Sequence, residues 1–169
     1  MAVAQGAGAA QATAAPLSGV RLAGQGVLRF LGFEVYRARL WVQPGFDADN
    51  YGAQPLALEL TYHRDFTAEA IARRSIEEMR HVGSFTPQQA ARWQQALQAA
   101  LPDVKVGDRL LGIHQPGVGA VFRMAGRVVG EVPDAEFSRL FFGIWLSPQT
   151  SEPRLRQELL GATRAMGQP

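Results

Sequence analysis

LAGQGVLRFLGFEVYRARLWV, residues 22–42, decides how the chain is read. It is the longest run with strand chemistry, and Gly24, Gly26 and Gly32 mark a turn, a bulge or a close backbone approach within it. Beyond Gly32, Phe33, Val35, Arg37, Arg39 and Trp41 alternate with Glu34, Tyr36, Ala38, Leu40 and Val42. Both faces are mixed, which predicts a sheet covered on one side and partly open on the other. Arg29, Tyr36, Arg37 and Arg39 bring more polarity than a core strand requires. They either line a pocket or lie on the wet face with their stems along apolar neighbours.

Working outward, Leu56 to Tyr62 alternates as a second strand and ends at His63-Arg64-Asp65. Thr67 or Asp65 can cap a helix from about Ala68 to His81, with Ala68, Ile71, Ala72, Ser75, Ile76 and Met79 on its inner stripe and Arg73, Arg74, Glu77, Glu78 and Arg80 on the solvated side. Thr86-Pro87-Gln88-Gln89 has the chemistry of a capping box with proline at the first helical position. Three short strands follow, Arg109 to His114, Ala120 to Met124 and Arg127 to Val132. Asp134 then caps the apolar helix DAEFSRLFFGIW, and a last helix runs from about Glu152 to Gly161. Strands, two helices, strands, two helices: this order predicts an α+β domain with helices packed on one side of an antiparallel sheet.

The 169 residues, 47% hydrophobic and 19% charged, fit one domain, taken as residues 17–162, between an Ala/Gly-rich flexible tail (1–16) and a frayed tail (163–169). A formal charge of +2 implies no nucleic-acid partner, and no stretch is long and apolar enough for an integral membrane segment. The absence of cysteine excludes thiol catalysis, disulfides and iron–sulfur clusters. The Ala-x-Ala spacings of the first sixteen residues suit the mature side of a removed export signal and hence a periplasmic location; without such processing the location is cytoplasmic. Oligomeric state is not legible.

Gly24-Gln25-Gly26 lacks the third glycine and the following helix of a dinucleotide cradle. His63-Arg64-Asp65 lacks the asparagine and phosphate loop of a kinase, and no Gly-x-Ser-x-Gly elbow occurs. His63, His81 and His114 lie far apart and read as surface or strand-end residues rather than metal ligands, so neither metal nor cofactor is expected. Glu77 and Glu78 diverge by about 100° on a helix and read as solvated charges, not a cooperating pair. An arginine in a partly apolar cleft presents a fork matched to a carboxylate, and a tyrosine adds a phenolic donor. Arg29 and Tyr36 are the candidates, with Tyr62 and Arg64 at the end of the next strand. Walled by Phe, Leu and Trp, such a site suits a small hydrophobic carboxylate or a phenolic ligand. On one regular strand Arg29 and Tyr36 would face opposite ways, so a bulge at Gly32 is expected to bring them together.

The runs GQGVLRFLGFEVYRARLW, RDFTAEAIARRSIEEM, GDRLLGIHQPGVGAVFRMAGRVVGEV and FSRLFFGIWLSPQTSEPRLRQELL together resemble the bacterial branch of the chalcone isomerase-like family, from about Leu17 to Leu160. The strand Gly32 to Tyr36 and the Phe-Phe-x-x-Trp-Leu helix ending carry most of the specificity. The resemblance implies an open-faced β-sandwich, a large antiparallel sheet backed by a layer of helices. Plant members close a flavanone ring with an arginine, a threonine and a tyrosine. Here those positions fall on Leu28 or Arg29, on Leu31, and near Ala70 or Ile71, and losing two hydrogen-bonding residues argues against that intramolecular lyase activity. Another branch binds fatty acids without catalysis through an arginine and a tyrosine, which Arg29 and Tyr36 match. A non-catalytic binder of a lipophilic anion is therefore the expected function, with no catalytic residues assigned. The alternative is an isomerase using Tyr36 or Tyr62 as acid–base partner and an arginine as electrophilic stabiliser.

Overall fold

The computed structural model describes residues 16–161. The segments expected to form the two tails lie, apart from Pro16, outside the described residues. Six strands form one antiparallel sheet in sequential order: β1 (Arg21–Phe30), β2 (Phe33–Val42), β3 (Leu56–Tyr62), β4 (Arg109–Gln115), β5 (Gly119–Met124) and β6 (Arg127–Val132). Helices α1 (Ala68–Val82) and α2 (Pro87–Ala100) connect β3 to β4, and α3 (Ala135–Leu146) and α4 (Pro153–Leu159) follow the sheet. The loop after β2 contains a short 3₁₀ helix, Ala48–Ala53.

The predicted starts hold in their hydrogen bonds. Thr67 Oγ1 accepts from the Ala70 amide, Thr86 and Gln89 form the full capping box, and Asp134 accepts from the Phe137 amide. Asp65, the other candidate cap, instead accepts from the Val106 amide across the β4 approach. The main core lies between one sheet face (Ala38, Leu40, Val42, Leu56, Leu58, Leu60, Tyr62, Leu110 and Phe122) and the helices, where Trp93, Phe137, Leu140 and Phe142 are fully or nearly fully buried. Burying a side chain of this size contributes roughly 1.5–3 kcal/mol before entropy is charged against it. Among the described residues the other face carries a small cluster, Trp41, Ala57 and Ile113 under Leu17, Val20 and Leu22, beside Arg39 and Glu59 in a salt bridge of 3.7 Å. The architecture is an open-faced β-sandwich.

The stretch 22–42 is a hairpin rather than one strand. Leu31 and Gly32 both have positive φ, 52° and 83°, and join paired Phe30 and Phe33 as a two-residue type I′ turn. The expected bulge at Gly32 is therefore corrected: β1 and β2 slip register at two other places, where Ala23 and Val35 are the extra residues. Gly24 is needed for close approach, since a Cβ there would stand 2.2 Å from the Glu158 carbonyl oxygen at the end of α4.

Candidate functional site

Between the sheet and helices α1 and α3 lies a cavity of about 410 Å³, within the range of small-molecule sites. The sheet supplies Leu28, Tyr36, Leu60, Tyr62 and Leu110, α1 supplies Ile71 and Ser75, and α3 supplies Phe141, Ile144 and Trp145. The cause is local: α1 packs against α2 and α3, and at this end of the sheet the aromatic rings meet edge-on and leave space between them. The Tyr36 and Tyr62 rings meet at a centroid separation of 5.9 Å and 73°, and Tyr62 meets Phe66 at 5.8 Å.

Arg29, Tyr36, Tyr62 and Arg64 all line this cavity, but in different states. Tyr36 sits inside, its oxygen accepting a hydrogen bond of 2.9 Å from Trp145 Nε1. Its own proton has no acceptor among the described residues. Tyr62 is 4% exposed, and its hydroxyl has no hydrogen-bond partner among the described residues. Burial pushes both phenols well above the usual tyrosine value, so at neutral pH both are donors and neither is a base. The Tyr36–Tyr62 pairing across β2 and β3 brings these two groups to one face.

The arginines stand at the rim. Arg29 is on β1, not on the strand of Tyr36, and its guanidinium is held 3.1 Å from Glu34, which also meets His63 Nδ1 at 3.1 Å. Arg64 lies over the Phe33 ring, 5.6 Å from its centroid, and has no carboxylate partner among the described residues. Of the two, Arg64 has the uncommitted fork.

Two polar residues treated as solvated also belong to the cavity. Arg74 and Glu78 line it and pair at 3.2 Å, and Glu78 accepts from Ser151 Oγ. Glu152, at the start of α4, faces them, and its carboxyl is pushed up by burial and then by Glu78. Glu78 is thus corrected from a solvated charge to a cavity carboxylate. Helical periodicity missed it because Glu78 follows Ile71 and Ser75 on the same face at spacings of four and three, a stripe that reads as core only when its members are apolar. His114 is corrected likewise: it is buried, with Nδ1 2.6 Å from Ser138 Oγ and Nε2 2.9 Å from the Gly52 carbonyl oxygen. Among the described residues no His/Asp/Glu group is arranged to hold a metal, and no helix is long and apolar enough to cross a membrane.

A solved structure of a fatty-acid binding protein from Arabidopsis thaliana superposes with a TM-score of 0.69, covering 90% of this chain and 93% of that one at 13% identity. At that identity the likeness concerns the fold. An uncharacterized protein of Haemophilus influenzae is 29% identical over 133 residues, covering 79% of this chain; the match spans 64%, less than two thirds, of that relative's length. The family described as chalcone isomerase-like matches residues 3–161, nearly the whole chain. The chain belongs to the chalcone isomerase-like family.

Proposed function

We propose that the protein is a non-catalytic binder of a small hydrophobic anion, of which a fatty acid is the best-fitting class. The observation that carries this is a largely apolar cavity lined by two phenols, half-buried Tyr36 and buried Tyr62, whose O–H groups have no acceptor among the described residues. Both hydroxyls face the cavity with a donor to spare, and a hydrogen bond from such a donor to a charged acceptor contributes roughly 1.5–3 kcal/mol. A carboxylate suits it, because it only accepts and because Arg64 stands at the mouth with a free fork. An acyl chain against Leu60, Phe66, Leu110 and Phe141 would gain about 0.8 kcal/mol for each methylene buried. The shared fold of a protein that binds fatty acids supports the same reading.

The intramolecular lyase reading has less to work with. The position matching the family's threonine, Leu31, lies at the exposed hairpin tip, and Ala70 and Ile71 offer no hydrogen bond to the cavity. Tyr36 and Tyr62, held protonated, could donate to a carbonyl but could not take a proton from a phenol at neutral pH.

Native mass spectrometry of the purified protein, followed by titration of delipidated protein with a fluorescent fatty acid, tests the proposal. A bound lipid of one mass class and saturable 1:1 binding are expected. No saturable binding up to the probe's solubility limit would overturn it, and ring closure of chalcones above the uncatalysed rate would establish the alternative.

A further inference from the structure

The β1–β2 hairpin tip exposes Phe30, Leu31 and Phe33 to 59%, 80% and 64%, three large apolar side chains within four residues. Leu31 is there at a conformational cost. A type I′ turn wants asparagine or glycine at its first central position, and a leucine at φ 52° meets the steric penalty of the left-handed region, roughly 1–2 kcal/mol. A strained, solvent-exposed leucine adds nothing to folding, so its benefit lies in something that covers it. The tip is also next to the cavity: Arg29 and Phe30 line the cavity, and Arg64, which caps Phe33, lines it too. Two cations flank the apolar tip: Arg64, without a carboxylate partner among the described residues, and Arg29, paired with Glu34.

We infer that this hairpin tip is a membrane-docking wedge that seats the cavity mouth on an anionic phospholipid surface. Leu31 and Phe33 enter the interfacial layer while Arg64, the cation of the rim without a carboxylate partner among the described residues, meets the headgroups, the pairing of apolar insertion with a cation by which peripheral proteins bind. The geometry favours a bilayer over a second copy of the chain. A buried aromatic contributes about 150–250 Å², so three partly exposed side chains supply roughly half of the ~800 Å² per partner that a stable protein interface buries. A bilayer sets no such minimum.

The inference stands on the tip and not on the ligand reading: a protein that binds vesicles but no fatty acid keeps the wedge and loses the proposed function, and the converse result does the opposite. The test is co-sedimentation of the full chain with vesicles of phosphatidylcholine alone and of phosphatidylcholine with about 30% phosphatidylglycerol, whose negative surface potential attracts single cations. Binding to the anionic vesicles, weakened at least tenfold in Leu31→Asn/Phe33→Thr and weakened by high salt, is expected. Leu31→Asn suits the turn better than leucine and Phe33 is 64% exposed, so the double variant's thermal midpoint should stay near or above the parent's, and a loss of binding is then not a loss of fold. Failure of the parent to bind anionic vesicles, or equal binding by the double variant, overturns the wedge. So does a concentration-dependent dimer in sedimentation velocity that Leu31→Asn abolishes, which assigns the tip to self-association.

Discussion

Trp145 Nε1 donates to Tyr36 Oη at 2.9 Å, tying the last turn of α3 to the hairpin end of β2 and leaving the tyrosine's proton for another acceptor. Tyr62, its neighbour on β3, has no such tie. The two phenols should therefore separate stability from binding. Tyr36→Phe strands a buried indole N–H and is expected to cost about 1–3 kcal/mol in urea unfolding. Tyr62→Phe removes a hydroxyl with no protein partner and should leave stability within about 0.5 kcal/mol of the parent, or raise it. Both should weaken fatty-acid binding about tenfold to a hundredfold, the roughly 1.5–3 kcal/mol of one hydrogen bond to a charged acceptor. Unchanged affinity in both variants would remove the phenols from the site.

The arginines predict an order. Arg29 is neutralised by Glu34, whereas Arg64 touches only an aromatic ring among the described residues. Arg64→Ala is expected to weaken binding of a fluorescent fatty acid about fivefold, with the difference shrinking at high salt because the group is exposed. Arg29→Ala should change it by less than about twofold. The reverse order would move the carboxylate to the hairpin end of the cavity.

Much of the fold was legible because it rests on local signals. The caps at Thr67, Thr86 and Asp134 sit where side-chain chemistry placed them, and the short strands after Val104 end at turn glycines. The hairpin was not resolved because Leu31-Gly32 lacks the asparagine that announces a type I′ turn, so strand chemistry reads straight through it. The site was legible in part. Tyrosines and arginines in an apolar run signal a cavity, but which arginine is committed depends on Glu34, a partner across a register slip that alternation cannot see. His114 and Glu78 were misread for a related reason: their surroundings come from Ser138, Gly52, Ser151 and Glu152, all distant in sequence.

Gly24 carries a prediction about packing alone. Its missing side chain lets the carbonyl end of α4 lie on β1, and the obstruction to a methyl group is backbone, with Glu158 and Leu159 carbonyl oxygens at 2.2 and 2.6 Å. Neither can rotate away. Gly24→Ala is expected to destabilise by more than about 2 kcal/mol despite lowering the unfolded chain's entropy. Gly45→Ala, in open space but at φ 83°, should cost less, about 1 kcal/mol. Equal midpoints for the two variants in chemical denaturation would show that α4 does not press on β1 as described.

His114 gives the fold a pH dependence whose sign can be worked out. The Gly52 carbonyl can only accept, so Nε2 carries the proton and Nδ1 accepts from Ser138. Burial pushes the imidazole below its ordinary 6.5, with the Gly52 hydrogen bond opposing more weakly. In the window between the folded and unfolded values the unfolded chain binds more protons, so stability rises with pH there. The contribution is complete above the unfolded value and is lost as pH falls through the folded one. Glu152 acts with the opposite sign, because its raised carboxyl is relieved by acid, but only where carboxylates begin to titrate. The thermal midpoint should thus be flat from pH 8 to about 7 and fall on acidification below 6.5. His114→Gln, whose amide can still donate to Gly52, should lower the plateau but flatten the slope. A slope unchanged in that variant would assign the acid sensitivity to other groups.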